Sequence, residues 1–203
     1  VYAYLPHVDH EGHATGTASD EYATVVDETW RAVGDAVAAV QDEVDGDEDV
    51  LVAFAADHGH VDTDPERNVD LGAYPTVVEG LQRYDCDDSP VFLSGSPRNV
   101  ELHVRDDATA AVRRVLEADV GAHVLDGKAA LADGLFGDGP IASETERRVG
   151  DLVAVHPELG TWFGGDVEPD ELDLVGMHGG LHPDEMLVPF AAGRLDGVAT
   201  ELP

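Results

Sequence analysis

The stretch HVDHEGH, His7 to His13, places three of the chain's ten histidines and two acids within seven residues. Carboxylate oxygen with imidazole nitrogen is a donor set suited to zinc, and with less preference to manganese or iron. Asp9 and His13 stand four residues apart with Gly12 between them, so a turn there brings both side chains together. Two further stretches carry the same chemistry. In ADHGH (Ala56 to His60), Asp57 and His58 are neighbours, and neighbours in a regular strand point to opposite faces. They can serve one ion only where the chain has left the strand, and Gly59 permits that turn. In GMHGGLHPDEM (Gly176 to Met186), His178 lies beside two glycines, where backbone can approach a ligand closely.

Asp9, His13 and His178 make a three-donor set, and three protein donors with one open position is the usual arrangement of a catalytic zinc. Asp57 and His58 supply only two donors, so a second ion needs others. Each stretch alone also reads as an ordinary solvated loop; it is the three together that point to a site. His7, His10, His60 and His182 are read as solvated residues or neighbours of ligands. His103, His123 and His156 fall in or beside predicted strands and are read as structural.

Elements must position these groups. VYAYL (Val1 to Leu5) is short, apolar and rich in strand formers, and Pro6 stops it. From Ser19 the period changes: Tyr22, Val26, Trp30, Val33, Val37, Val40 and Val44 recur at three- and four-residue steps. That spacing predicts an amphipathic helix of more than twenty residues, N-capped by Ser19 or Asp20 and ended by the acidic turn DGDED. VLVAFAA (Val50 to Ala56) is a continuous apolar run, as expected of a strand buried on both faces of a parallel sheet. Strand, helix, strand is a βαβ unit, so the expected class is α/β with a mostly parallel sheet flanked by helices. Ligands of open α/β sheets bind beyond the carboxyl ends of strands, where the first two polar stretches fall.

Pro90 to Gly95 and Asn99 to Val104 read as strands joined by a Gly-Ser-Pro turn. Asp107 to Asp119 reads as a helix, Ala122 to Leu125 as a strand, and Asp126 to Gly137 as a short helix ended by glycine. Asp151 to His156 and Glu185 to Gly193 read as further strands. Residues 90–163 are a candidate cap or subdomain on the main sheet.

The 203 residues suit one domain or most of one. Forty-three acids against eleven bases give a formal charge of -32, with acids spread along the whole chain, a composition of halophilic type. So few cations argue against nucleic-acid binding through phosphates. Cys86 is the only cysteine, which excludes an intramolecular disulfide and a cysteine zinc cluster. No apolar run reaches the roughly 18 residues of a membrane span. The expected location is cytoplasmic, although the chain opens on Val1, immediately in a strand-like run, so the true N-terminus is expected upstream.

YLPHVDHEGHATG, AADHGH and GMHGGLHPDEMLVPF, in that order, resemble the later metal-binding motifs of the alkaline phosphatase superfamily, closest to its type I phosphodiesterase/nucleotide pyrophosphatase branch. GLFG (Gly134 to Gly137) and RRVGDLVAV (Arg147 to Val155) resemble connecting segments of that branch. The resemblance implies an alkaline phosphatase-like fold and a metal-dependent hydrolase of phosphodiester or nucleotide pyrophosphate bonds. Asp9, His13 and His178 would bind one divalent ion, and Asp57 and His58 a second, with zinc expected and manganese the alternative. The substrate would be a small phosphorylated molecule such as a nucleotide. The family completes the second ion with an upstream aspartate and a Thr or Ser nucleophile. Neither has a counterpart here, so residues 1–203 are expected to be one partial catalytic domain.

Within the superfamily, a phosphomonoesterase, sulfatase or phosphomutase remains an alternative. From another class, a truncated non-catalytic metal-binding domain is the rival. One departure is His182, where relatives often have Ser or Thr before the Pro-acid-Glu turn, and it puts the capping of a short helix in question.

Overall fold

A computed structural model describes residues 1–44, 49–91, 95–163 and 171–198. The chain mixes helices with small sheets, an α/β architecture. The metal-type stretches lie in a layer built from α1 (His7–Thr15), α2 (Asp20–Glu43), β1 (Leu51–Ala55) and β2 (Val61–Asp62), joined by segments from the far end of the chain. α2 is the element the periodicity predicts. Ser19 caps it, its Oγ accepting from the Tyr22 amide at 3.0 Å, and its Trp30 ring meets Phe54 of β1 edge-on at 5.5 Å.

Three expectations are corrected here. Val1 to Leu5 forms no strand: these residues are exposed and pair with nothing among the described residues, and apolar β-formers become a strand only where a ladder satisfies their backbone. Without that strand the βαβ unit does not form. HVDHEGH forms a helix, not a turn, and its polar composition with Gly12 inside conceals the helical period. β1 is also not buried on both faces. It alternates exposed and half-buried residues, and Leu51 is 72% exposed.

After β3 (Val69–Asp70) and α3 (Pro75–Gly80) comes a four-stranded sheet. Its strands are β4 (Gly95–Ser96), β5 (Asn99–Leu102), β6 (His123–Asp126) and β7 (Leu152–Val155), in the order β4-β5-β7-β6, all antiparallel. Val100 and Leu102 of β5 with Leu152 and Ala154 of β7 face one core, closed by Val112 and Leu116. Val153 and Val155 face a second core with Leu131 and Val149. The helices are α4 (Thr109–Val115), continued by a π-helical turn over Leu116–Val120, α5 (Gly127–Ala132) and α6 (Ser143–Val149). β7 is therefore the strand with both faces covered, which is why all four of its residues are buried.

The chain returns through β8 (Thr161–Trp162), β9 (Gly176–Met177), α7 (Pro183–Met186), β10 (Phe190–Arg194) and α8 (Leu195–Val198). β1 pairs with β10 and β2 with β9, both antiparallel; β3 with β8 is the parallel pair. The expectation of a mostly parallel sheet is thus not met by the described strands: apart from the β4–β5 hairpin, the antiparallel partners are joined by long connections, so strand direction is set by distant segments rather than by βαβ units. The strand expected from Glu185 starts at Phe190, because His182 to Glu185 form a capped helical turn first. Most of the acidic turn after α2 (45–48) and part of the strand expected at Pro90 to Gly95 (92–94) lie outside the described residues. No described helix is long and apolar enough to cross a membrane.

Candidate metal centre

Asp9 and His13 sit one helical turn apart on α1, so their side chains share a face. His13 Nε2 lies 3.6 Å from Asp9 Oδ1. The other ring nitrogen, Nδ1, donates to the Gly176 carbonyl at 2.7 Å, which fixes the ring and leaves Nε2 facing the cluster. The Val175 amide returns a bond to the His13 carbonyl at 2.9 Å, so α1 and the start of β9 are locked together. This approach is possible because residue 176 is glycine: a Cβ there would lie 2.1 Å from the Gly12 oxygen.

The β2/β9 pairing supplies the next two groups. Val61 opposes Met177, so His60, one residue before, and His178, one residue after, face each other with ring centroids 5.2 Å apart. His178 Nε2 lies 3.7 Å from Asp9 Oδ1, and His60 Nε2–H donates to the same oxygen at 3.1 Å. Asp62 of β2 accepts from the Thr17 amide at 2.6 Å, tying the α1–α2 turn to this pair.

Past β1 the chain has left the strand, as sharing one site requires. His58 Nε2 lies 3.8 Å from both Asp57 Oδ1 and Asp9 Oδ1, its Nδ1 donates to the Gly59 carbonyl at 3.2 Å, and its ring stacks on His178 with centroids 3.5 Å apart. Of the five residues singled out from the sequence, Asp9, His13, His58 and His178 are brought together, while Asp57 reaches them only through its neighbour His58 and is largely exposed. Asp9, His13, His60 and His178 offer one donor atom each within 4.8 Å of one another, a group able to hold a metal ion. The donor chemistry fits: one carboxylate oxygen among imidazoles, with the His13 ring oriented by a backbone carbonyl.

His60 goes further into the site than the sequence indicated. Its side chain is 5% exposed, not solvated, and it touches the Asp9 carboxylate. Only the strand register, invisible in the sequence, could have revealed this. His7 and His10 are exposed on the outer side of α1. His182 is also exposed and resolves the capping question: Nδ1 accepts from the Asp184 amide at 3.2 Å, so histidine caps α7. His156 is buried, its Nδ1 accepting the Glu158 and Leu159 amides.

Burial and the neighbouring His58, His60 and His13 rings push His178 down to about 4, and burial with His13 likewise lowers His60 against the opposing pull of Asp9. Both imidazoles are thereby held neutral, the form that binds a metal. Glu185 accepts the Gly180 and His182 amides and two bonds from buried Arg98. Burial pushes its carboxyl up, but these hydrogen bonds and the Arg98 charge outweigh that and hold it below the usual carboxylate range.

The fold and site define a mixed α/β chain with an Asp/His centre assembled from three distant segments. The chain belongs to the type I phosphodiesterase / nucleotide pyrophosphatase family, whose model matches residues 1–181. Among solved structures it is similar to human ectonucleotide pyrophosphatase/phosphodiesterase 5, with 17% identity and TM-score 0.60. The murine protein gives 17% identity and TM-score 0.64, and its inactive form in complex with AMP 16% and 0.64. Each match covers 91% of this chain and 44% of the other, so the chain spans less than half the length of these structures. No curated protein matches it.

Proposed function

We propose that these residues form part of the catalytic domain of a metal-dependent hydrolase of phosphodiester or nucleotide pyrophosphate bonds. The observation carrying this reading is the convergence of His13, His58 and His178 Nε2 on the Asp9 carboxylate. Family membership supports the bond type, and the AMP complex of a murine neighbour supports a nucleotide-like substrate. Asp9, His13 and His178 hold one divalent ion in this reading, and Asp57 and His58 contribute to a second. The imidazole-rich donors favour zinc, with manganese the alternative. Ions held there supply Lewis acidity for an in-line displacement at phosphorus.

The chain's own residues orient the centre. The Nδ1–H groups of His13 and His58 are held by carbonyls, so each ring keeps one direction, and the His60 N–H restrains rotation of the Asp9 carboxylate. The family's nucleophilic hydroxyl and remaining donors to the second ion have no counterpart identified in residues 1–203, consistent with a chain that spans 44% of the similar structures. In keeping with a larger domain, Leu51 and Phe190 of the β1/β10 ribbon are 72% and 73% exposed. Residues 90–163 are assigned to a cap, in keeping with the antiparallel sheet and its two cores. A negatively charged substrate can approach a chain of charge -32 because bound cations reverse the local field and salt screens the rest.

The test is hydrolysis of a chromogenic phosphodiester against its monoester by the intact protein, in concentrated KCl with zinc or manganese. Faster diester cleavage is expected; faster monoester cleavage moves the reading to a phosphatase or mutase. Turnover of neither by metal-loaded protein favours the non-catalytic alternative. His178→Ala is expected to remove about one ion per chain, and unchanged metal content would end its ligand role.

A further inference from the structure

Arg98 and Glu185 form the most deeply buried ion pair among the described residues, with side chains 0% and 1% exposed. The contact is a two-pronged fork: Nε to Oε1 at 2.8 Å and Nη2 to Oε2 at 2.9 Å. The remaining guanidinium bonds go to the carbonyls of Leu159 at 2.8 Å and Pro157 at 3.2 Å. Each carboxylate oxygen also accepts a backbone amide, Gly180 on Oε1 at 3.0 Å and His182 on Oε2 at 3.2 Å. The Glu185 carbonyl takes the Gly59 amide at 2.9 Å.

Those amides lie in the two loops that carry the site. Gly59 is between His58 and His60, and Gly180 follows His178 by two residues. On the arginine side, the Arg98 amide bonds Ser96 Oγ at 3.2 Å, and that hydroxyl donates to the His178 carbonyl at 3.2 Å. The packing leaves no slack. A Cβ on Gly180 would lie 2.8 Å from Glu185 Oε2, one on Gly179 2.4 Å from Ser96 Oγ, and one on Gly59 2.0 Å from the Asp184 carbonyl.

A buried ion pair is a weak source of stability, because desolvating two charges offsets their attraction and apolar replacements are often as stable or more so. Its directional bonds are what an apolar pair cannot replace. We propose that the Arg98–Glu185 pair is a positioning device that sets the His178 loop and the His58–His60 loop relative to each other. This rests on the metal-centre reading above.

The test measures zinc affinity by chelator competition, and the visible spectrum of the cobalt-substituted site, in the full chain. The double variant Arg98→Met/Glu185→Leu removes both charges and keeps apolar volume. It is expected to melt cooperatively at a temperature no lower than the parent, yet to bind zinc about tenfold or more weaker, with an altered cobalt spectrum. Glu185→Gln, which preserves shape and one acceptor oxygen, is expected to fall between the two. A folded double variant with parental affinity and spectrum overturns the proposal. So does failure of both variants to fold, which makes the pair an obligate part of the fold. If the parent itself binds no metal, the metal-centre reading falls and takes this inference with it, a result distinct from the others.

Discussion

Gly12 determines how closely α1 approaches the histidines. A Cβ there would lie 2.3 Å from His60 Nδ1 and 2.6 Å from its Cε1, and the His60 ring, 5% exposed, has nowhere to retreat. Gly12→Ala is therefore expected to destabilise by roughly 1–3 kcal/mol through overpacking, measured by denaturant unfolding, and to weaken zinc binding by displacing the His60–Asp9 bond. The pH dependence of the metal-free protein follows from His178, whose value is lowered from 6.5 to about 4. Below 6.5 the unfolded chain binds the proton that the folded chain refuses, so this stability is complete above 6.5 and is lost as pH falls toward 4. A melting temperature of chelator-treated protein that is flat across that window would contradict it. Residue types and glycine neighbours sufficed to single out Asp9, His13, His58 and His178, which the structure brings together, because metal chemistry restricts side chains strongly; Asp57, read the same way, touches only His58 among them. His60 and the Arg98–Glu185 pair escaped because their roles depend on register and packing between segments far apart in the chain.

Among the elements, α2 was readable because its apolar residues keep a helical period over many turns and Ser19 is a good cap. Ser19 Oγ accepts from the Tyr22 amide and donates to the Gly16 carbonyl, so it stabilises both the helix start and the turn leaving α1. Ser19→Ala is expected to cost about 1 kcal/mol, measured by thermal or chemical unfolding, with metal content unchanged. α1 was not readable as a helix, since the residues that would mark its period are site residues. Val1 to Leu5 was over-read for the opposite reason: strand propensity was present, but among the described residues a ladder partner was not. The apolar runs of β1 and β7 look alike in sequence, yet only β7 is covered on both faces. Coverage is set by what packs on a strand, not by the strand itself.

For the molecule as a whole, a charge of -32 on 203 residues is self-repulsion that dilute buffer does not screen. Raising KCl from low to molar concentrations is expected to raise the melting temperature steadily, with most of the gain as the screening length falls below about 10 Å; insensitivity to salt would remove the halophilic reading. The mixed α/β class was legible from alternating periods, but the pairing was not. Parallel and antiparallel partners present the same apolar runs, and here most partners lie far apart in the chain, beyond the reach of any local signal.

The metal-type cluster joins α1, the loop after β1 and the loop after β9, so its contacts close some of the longest loops in the chain. Long closures lose chain entropy before their contacts repay it, and such contacts tend to form late in folding. An ion bound across these three segments would then contribute little to the rate of folding and mostly slow the rate of unfolding. The centre would work as a latch on a nearly finished structure rather than as a seed for it, and cofactor loss would show first as a shorter native lifetime.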